Sequence, residues 1–174
     1  VLLEEMGRAL VPSPFIPTTL YCALPILWAG TEQQRRKFLP AIARGDIVMT
    51  LALTEPSATY RAGGVELQAV AQGTEFVLNG AKLFIVDAHV ADWLLVVART
   101  GKEAIPEEGI TMFLVEARSP GLSYNPLKTM AYDKQSEVLF KDVRVPASSV
   151  LGEAGKGWQV IQRLMQYAAV AQCA

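Results

Sequence analysis

One histidine and two cysteines are all this sequence offers of these two reactive residue types, and their spacing narrows what they can do. The one histidine, His89, sits in Val86-Asp87-Ala88-His89-Val90-Ala91-Asp92. Serine catalysis needs a histidine, an orienting acid and a nucleophile on a sharp turn, and no G-x-S-x-G elbow is present. His89 is therefore expected to be a surface-loop residue. Cys22 and Cys173 lie far apart in apolar, helix-like segments. They do not make a disulfide framework and read as reduced thiols of an intracellular protein. One histidine and no Cys-x-x-Cys leave no protein zinc cage, so no metal site is expected. Gly152-Glu153-Ala154-Gly155-Lys156-Gly157 looks like a phosphate loop. It lacks the G-x-x-x-x-G-K-[ST] spacing and the metal-binding hydroxyl, and reads as a loop-to-helix turn. The most specific signal is Leu51-Ala52-Leu53-Thr54-Glu55-Pro56, an apolar strand ending in a hydroxyl, an acid and a proline that fixes the turn.

Three kinds of element must carry these residues. Residues 1–46 are expected to be helical, with Leu2, Leu3, Met6 and Leu10 at helix spacing before Pro12, Pro14 and Pro17 interrupt the chain. A second helix is predicted from about Thr18 to Ala29, stopping at Gly30, with Pro25 marking a kink or a late start. Thr31 to Gln34 forms a T-x-x-Q capping box, and the helix it opens should end near Arg44-Gly45. Residues 47–153 change to short alternating or β-branched strands separated by Gly, Asn, Pro and Asp. Asn79-Gly80 is a strong two-residue hairpin signal between EFVL and AKLFIV. About seven strands with no helix between them indicate an antiparallel sandwich or barrel. From 154 to 174 the helical period returns, with Trp158, Ile161, Leu164, Met165 and Ala168 on one stripe. The fold class is α+β: a helical segment, an antiparallel β-sandwich or barrel, and the start of a helical bundle.

Composition excludes several functions. Of the 174 residues, 51% are hydrophobic and 19% charged, which is the opposite of a disordered chain. Sixteen Lys and Arg balance seventeen Asp and Glu, so nothing points to nucleic acid or an anionic membrane. No apolar run approaches the roughly 20 residues of a membrane span. The start lacks Met and a basic leader, and both ends fall inside helical patterns, so the chain reads as an internal piece of a longer protein. The apolar excess predicts subunit contacts.

Four separated blocks stand in a telling order. LPAIARGDIVMTLALTEP (39–56) is followed by LNGAKLFIVDAHVADWLLVVART (78–100), then GITMFLVEARSPGL (109–122), then VLFKDVRVPASSVLGEAGKGW (138–158). This order resembles the acyl-CoA dehydrogenase family over essentially the whole chain. The resemblance implies the last part of an N-terminal helical domain (1–46), a complete middle β domain (47–153) and the first helix of a C-terminal helical domain (154–174).

It also implies a chemistry. Family members use FAD to oxidise the Cα–Cβ bond of an acyl-CoA thioester to a 2-enoyl-CoA, a glutamate base taking the α-proton and flavin N5 the hydride. By position, Leu51 and Leu53 would face the isoalloxazine ring, and Thr54 would offer its hydroxyl and backbone to the pyrimidine side. Phe84 stands where the family usually has a stacked Trp, and Val86 where it has Thr or Ser near N5. Thr59 replaces a glycine that approaches the flavin closely, so its Cβ crowds that approach or demands a different turn. Tyr60 replaces a serine that touches flavin and CoA pantetheine, so Thr59 and Tyr60 would also be substrate-binding. No catalytic residue is expected in this chain; the base lies beyond residue 174.

The reading that follows is an FAD-dependent acyl-CoA dehydrogenase, a homotetramer or α2β2 heterotetramer, passing electrons to an electron-transferring flavoprotein. It would act in a bacterial cytoplasm, with the mitochondrial matrix as an alternative. The departures at Thr59, Tyr60 and Val86 suit a second reading, a non-catalytic partner subunit of a heteromeric dehydrogenase. A third is a β-sandwich binding module with helical flanks.

Overall fold

Proline placement shapes the helical segment. In the computed structural model, which describes residues 1–101 and 104–173, α1 (Leu2–Arg8) is short and none of its residues is buried. A π-helical stretch, Ile16–Ala23, then runs directly into α2 (Leu24–Ala29). The second helix thus starts earlier than its sequence pattern suggests and changes pitch just before Pro25. Pro25 has no N–H for the helical ladder, so the wide turn falls where the ladder is already broken. Helix α3 (Glu32–Arg44) opens with the expected capping box. Gln34 N donates to Thr31 Oγ1 (3.2 Å) and Thr31 N to Gln34 Oε1 (3.0 Å). It closes at Gly45, whose φ of 75° is the left-handed cap glycine favours.

Eight strands follow: β1 (Met49–Ala52), β2 (Gln68–Gln72), β3 (Glu75–Val86), β4 (Trp93–Arg99), β5 (Ile110–Glu116), β6 (Leu122–Leu127), β7 (Gln135–Pro146) and β8 (Val150–Leu151). They form one sheet in the order β6-β7-β3-β2-β4-β5-β8, with β1 added on β4. Helix α4 (Gly157–Gln172) packs back on the helical side; Ala174, the end of the expected helix, lies outside the described residues.

Two expectations change. The sheet is mostly, not wholly, antiparallel: β1 runs parallel to β4 from Met49↔Trp93 to Ala52↔Val96. Long crossovers make parallel pairing possible, and strand patterns alone do not reveal it. Asn79-Gly80 is not a hairpin turn but a bulge inside β3, between the Leu78 and Gly80 pairings to β7. The turn lies at Gly73-Thr74, because Gln72 pairs with Glu75 and Gly73 has φ 63°. At the bulge, Gly80 (φ 146°) lets β3 pass Leu67 so closely that a Cβ would stand 3.0 Å from the Leu67 Cα. Asn79 also donates to Asp142 Oδ1 (3.1 Å) and accepts from Asp142 N (2.8 Å), tying the bulge to β7.

The core has two layers. In β4 and β5, Leu95, Val97, Met112 and Leu114 pack with Ile26, Phe38, Trp158 and Ile161 on the helical side. Leu94, Val96, Phe113 and Val115 face the other way, with Leu78, Val138 and Phe140. Both faces are covered, which explains why these strands read as continuous apolar runs rather than alternating ones. Phe76 of β3 meets Phe113 of β5 with ring centroids 5.1 Å apart, although two strands separate them in the sheet. The sheet therefore curls over its own core. Cys22 is buried on the helical side, where desolvation pushes its thiol pKa far up. No helix among the described residues is long and apolar enough to cross a membrane.

Candidate functional site

The site lies where the sheet splits. The edge of β4 is shared: β1 holds Trp93–Val96 and β2 touches it at Arg99. Between them the chain leaves the sheet through residues 53–67. There Thr54 O accepts from Leu83 N of β3 (2.8 Å), and Thr50 Oγ1 donates to Val86 O (2.7 Å). The β1 end and β3 thus form a shared floor. A second bulge on β3 falls between Lys82 and Ile85. Phe84 occupies it at φ 57° and is 48% exposed, its ring turned out of the sheet core.

A cleft of about 240 Å³ opens over this floor. Leu51, Leu53 and Thr54 come from the β1 end; Phe84, Ile85 and Val86 from β3; Tyr60 from the connecting loop. Tyr21 of the π-helical stretch and Ile161, Leu164, Met165 and Ala168 of α4 form the opposite wall. Six of the seven residues singled out from sequence meet here: Leu51, Leu53, Thr54, Tyr60, Phe84 and Val86. Thr59 does not line the cleft. Its side chain packs over Gly64, and its Oγ1 accepts from Arg61 N (3.3 Å). The left-handed residue of this turn is Ala58 (φ 49°), so the chain makes a turn of its own around Thr59.

Beneath the floor lies a buried ion pair. Lys82 Nζ donates to Glu55 Oε1 (2.6 Å) and to the Leu53 carbonyl (3.1 Å), and the lysine is fully enclosed. Glu55 also accepts from Glu66 N (2.9 Å) and from Leu67 N (3.0 Å to Oε1, 3.1 Å to Oε2). Burial lowers the Lys82 pKa to about 8, against the pull of Glu55, which raises it. Sequence reasoning quoted Glu55 and Lys82 only as motif letters. A lysine flanked by apolar strand residues was the available signal, since an enclosed cation needs an anion beside it. Tyr21 and Thr50 are not singled out by any motif, and Ile161, Leu164, Met165 and Ala168 show in the sequence only as one helical stripe.

The other candidates separate from this site. His89 is exposed on the turn 87–90. Two amides of the 152–157 loop are engaged: Gly155 N donates to Thr111 Oγ1 (2.8 Å) and Lys156 N to Glu153 O (3.1 Å). That loop is the helix-entry turn its spacing suggests. A larger hollow of about 730 Å³ adjoins β2, but its Arg99 already donates to the carbonyls of Ala62, Val65, Pro106 and Glu108. No cluster of metal-ligating side chains exists among the described residues.

Residues 50–143 match the family description "Acyl-CoA dehydrogenase, middle domain", and residues 1–46 match "Acyl-CoA dehydrogenase, N-terminal domain". The chain belongs to the acyl-CoA dehydrogenase family. Acyl-CoA dehydrogenase FadE29 of Mycobacterium tuberculosis is 34% identical over 163 residues, 92% of this chain and 42% of that protein. Among solved structures, the Tcur3481-Tcur3483 steroid ACAD superposes with a TM-score of 0.88 at 34% identity, over 98% of this chain and 44% of its own. The ChsE4-ChsE5 complex from Mycobacterium tuberculosis superposes at 0.87 with 31% identity, over 95% and 43%. The chain thus spans less than half the length of these acyl-CoA dehydrogenases.

The floor suits a flavin. It is apolar at Leu51, Leu53, Ile85 and Val86, Thr50 turns its hydroxyl to Val86 O, and Thr54 supplies a half-buried polar side chain.

Proposed function

We propose that the whole protein is an FAD-dependent acyl-CoA dehydrogenase, oxidising the Cα–Cβ bond of an acyl-CoA thioester to the 2-enoyl-CoA. This chain would contribute the floor and one wall of the flavin site. The observation that carries the reading is the convergence of Leu51, Leu53, Thr54, Tyr60, Phe84 and Val86 on one cleft in a chain of this family. Bound FAD supplies the hydride acceptor for the carbon that loses hydride.

The chain's own residues bind and orient. Leu51, Leu53 and Val86 keep water from the ring face, so charge interactions there are less screened. Thr54 presents its hydroxyl and amide where negative charge grows on reduction. Phe84, turned out by its bulge, offers an aromatic face at the cleft mouth. Tyr60, which lines the cleft from the connecting loop, would contact the flavin and the acyl-CoA. Thr59 acts indirectly, by packing the loop that carries Tyr60. No acid lines the cleft among the described residues, and Glu55 is engaged with Lys82, Glu66 N and Leu67 N. The base that takes the α-proton is therefore assigned to a part of the protein outside this chain. An electron-transferring flavoprotein is the proposed acceptor, and a tetramer the proposed assembly.

A second reading has specific support. Val86 and Tyr60 line the cleft where the resemblance implies a smaller hydroxyl residue, and one superposing structure is the ChsE4-ChsE5 complex. In that reading this chain would be the non-catalytic partner of a heteromeric dehydrogenase. Flavin content of the purified intact protein decides between them. Near-stoichiometric FAD that bleaches on adding an acyl-CoA supports the dehydrogenase; an apoprotein that takes up no added FAD supports the partner subunit.

A further inference from the structure

We infer that the Glu55–Lys82 pair is a positioning device that holds the two floor elements of the cleft, the β1 end and β3, in register with the loop that carries Tyr60. The part of this inference that concerns the flavin rests on the reading above; the clamp itself does not.

The pair touches both floor elements and the loop at once. Glu55 follows Thr54 at the end of the β1 segment, and its carboxylate receives Glu66 N and Leu67 N, where the loop carrying Tyr60 returns to the sheet. Lys82 lies two residues before Phe84, immediately ahead of the bulge, and its ammonium holds both Glu55 and the carbonyl of Leu53. Leu53, Tyr60 and Phe84 therefore share one buried electrostatic hub, although Tyr60 is 65% exposed and Phe84 48% exposed. Exposed rings on a loop and a bulge have little packing to hold them, so their position depends on the backbone anchors below.

The pair's backbone partners, the Glu66 and Leu67 amides and the Leu53 carbonyl, lie on the loop that carries Tyr60 and on the β1 end. Replacing such a pair with apolar residues is often tolerated, whereas removing one partner leaves an enclosed charge unpaired. Removing both charges separates folding from positioning, because it spares the fold while releasing the anchors.

The experiment compares the intact wild-type protein with E55Q and with the double variant E55M/K82M, which leaves neither an enclosed charge nor a side-chain acceptor for the Glu66 and Leu67 amides. Arg61, exposed on the 56–65 loop, is a trypsin site that reports loop release without any flavin. Cleavage after Arg61, mapped by mass spectrometry under native conditions, is expected to quicken about tenfold in both variants as local opening becomes easier. The FAD dissociation constant is expected to rise about tenfold, with loss of fine structure in the flavin absorption band as water reaches the ring. Circular dichroism confirms that the double variant is folded. A folded double variant with wild-type cleavage at Arg61 overturns the clamp. Faster cleavage with unchanged flavin affinity and spectrum overturns the link from clamp to cleft. If the wild-type protein takes up no FAD, the flavin reading fails, and cleavage at Arg61 alone decides the clamp.

Discussion

The methyl group of Thr59 occupies the space that a side chain on Gly64 would need. Ser57 Oγ and the Thr59 carbonyl crowd the same point, at 3.0 and 3.3 Å from where a Cβ would sit. The residue pair at 59 and 64 is therefore coupled. Gly64→Ala is expected to cost about 1–3 kcal/mol through overpacking. In a Thr59→Ala background most of that cost should disappear. A double-mutant cycle from urea unfolding measures it, and additive costs would mean the two sites do not press on each other.

Lys82 imposes a pH dependence with a definite sign. Its pKa falls from 10.5 in the unfolded chain to about 8 in the fold. Between these values the unfolded state holds the extra proton, so this group makes the fold more stable as pH rises through that window. The slope is bounded by ~1.4 kcal/mol per pH unit. The difference in unfolding free energy between wild type and the E55M/K82M double variant, which carries no enclosed carboxylate, should shift toward wild type from pH 8 to pH 10.5 and stay nearly level from pH 6 to pH 7. A flat difference across the whole range would show that the lysine keeps its ordinary pKa.

Val86 lines the cleft without a hydroxyl, while its carbonyl is held by Thr50. Val86→Thr restores a donor with nearly the same shape. If the flavin lies on this floor, one added hydrogen bond of about 1 kcal/mol should tighten FAD binding roughly fivefold. Flavin fluorescence titration of the intact protein measures it. No change in affinity or in the absorption spectrum would place the flavin away from residue 86.

Gln34 joins two parts of the fold. Besides closing the cap of α3, its Nε2 donates to the carbonyls of Ser148 (3.1 Å) and Val150 (2.9 Å) at the start of β8. Gln34→Ala should lose the cap partner and both carbonyl bonds, about 2–3 kcal/mol in all. Thr31→Ala should cost only about 1 kcal/mol, because it leaves the β8 contacts in place. Chemical denaturation of the two variants compares them directly, and equal costs would mean that the β8 bonds add nothing.

Much of the architecture was legible because local rules carried it. Thr31-x-x-Gln34 marked a helix start through hydrogen bonds that close within four residues. Gly45 marked its end through a backbone conformation that glycine adopts most easily. The strand segments were visible from β-branched runs, and the order of four motifs pointed to the family. The failures are equally physical. Asn79-Gly80 has turn chemistry, yet the same φ freedom serves a bulge when β7 is alongside and Leu67 lies beneath. Nothing within a few residues of Asn79 distinguishes the two outcomes.

The cleft shows the same division. Motif order and spacing, which are properties of the chain alone, set which residue types stand at 51, 53, 54, 60, 84 and 86. Only the tertiary structure decided that they meet, that Thr59 turns away to Gly64, and that Glu55 and Lys82, 27 positions apart, close an ion pair under the floor. The physical reason is the parallel addition of β1 to β4 and the two bulges of β3. These are long-range pairings, settled by burial on both faces of a curled sheet, and no local propensity encodes them.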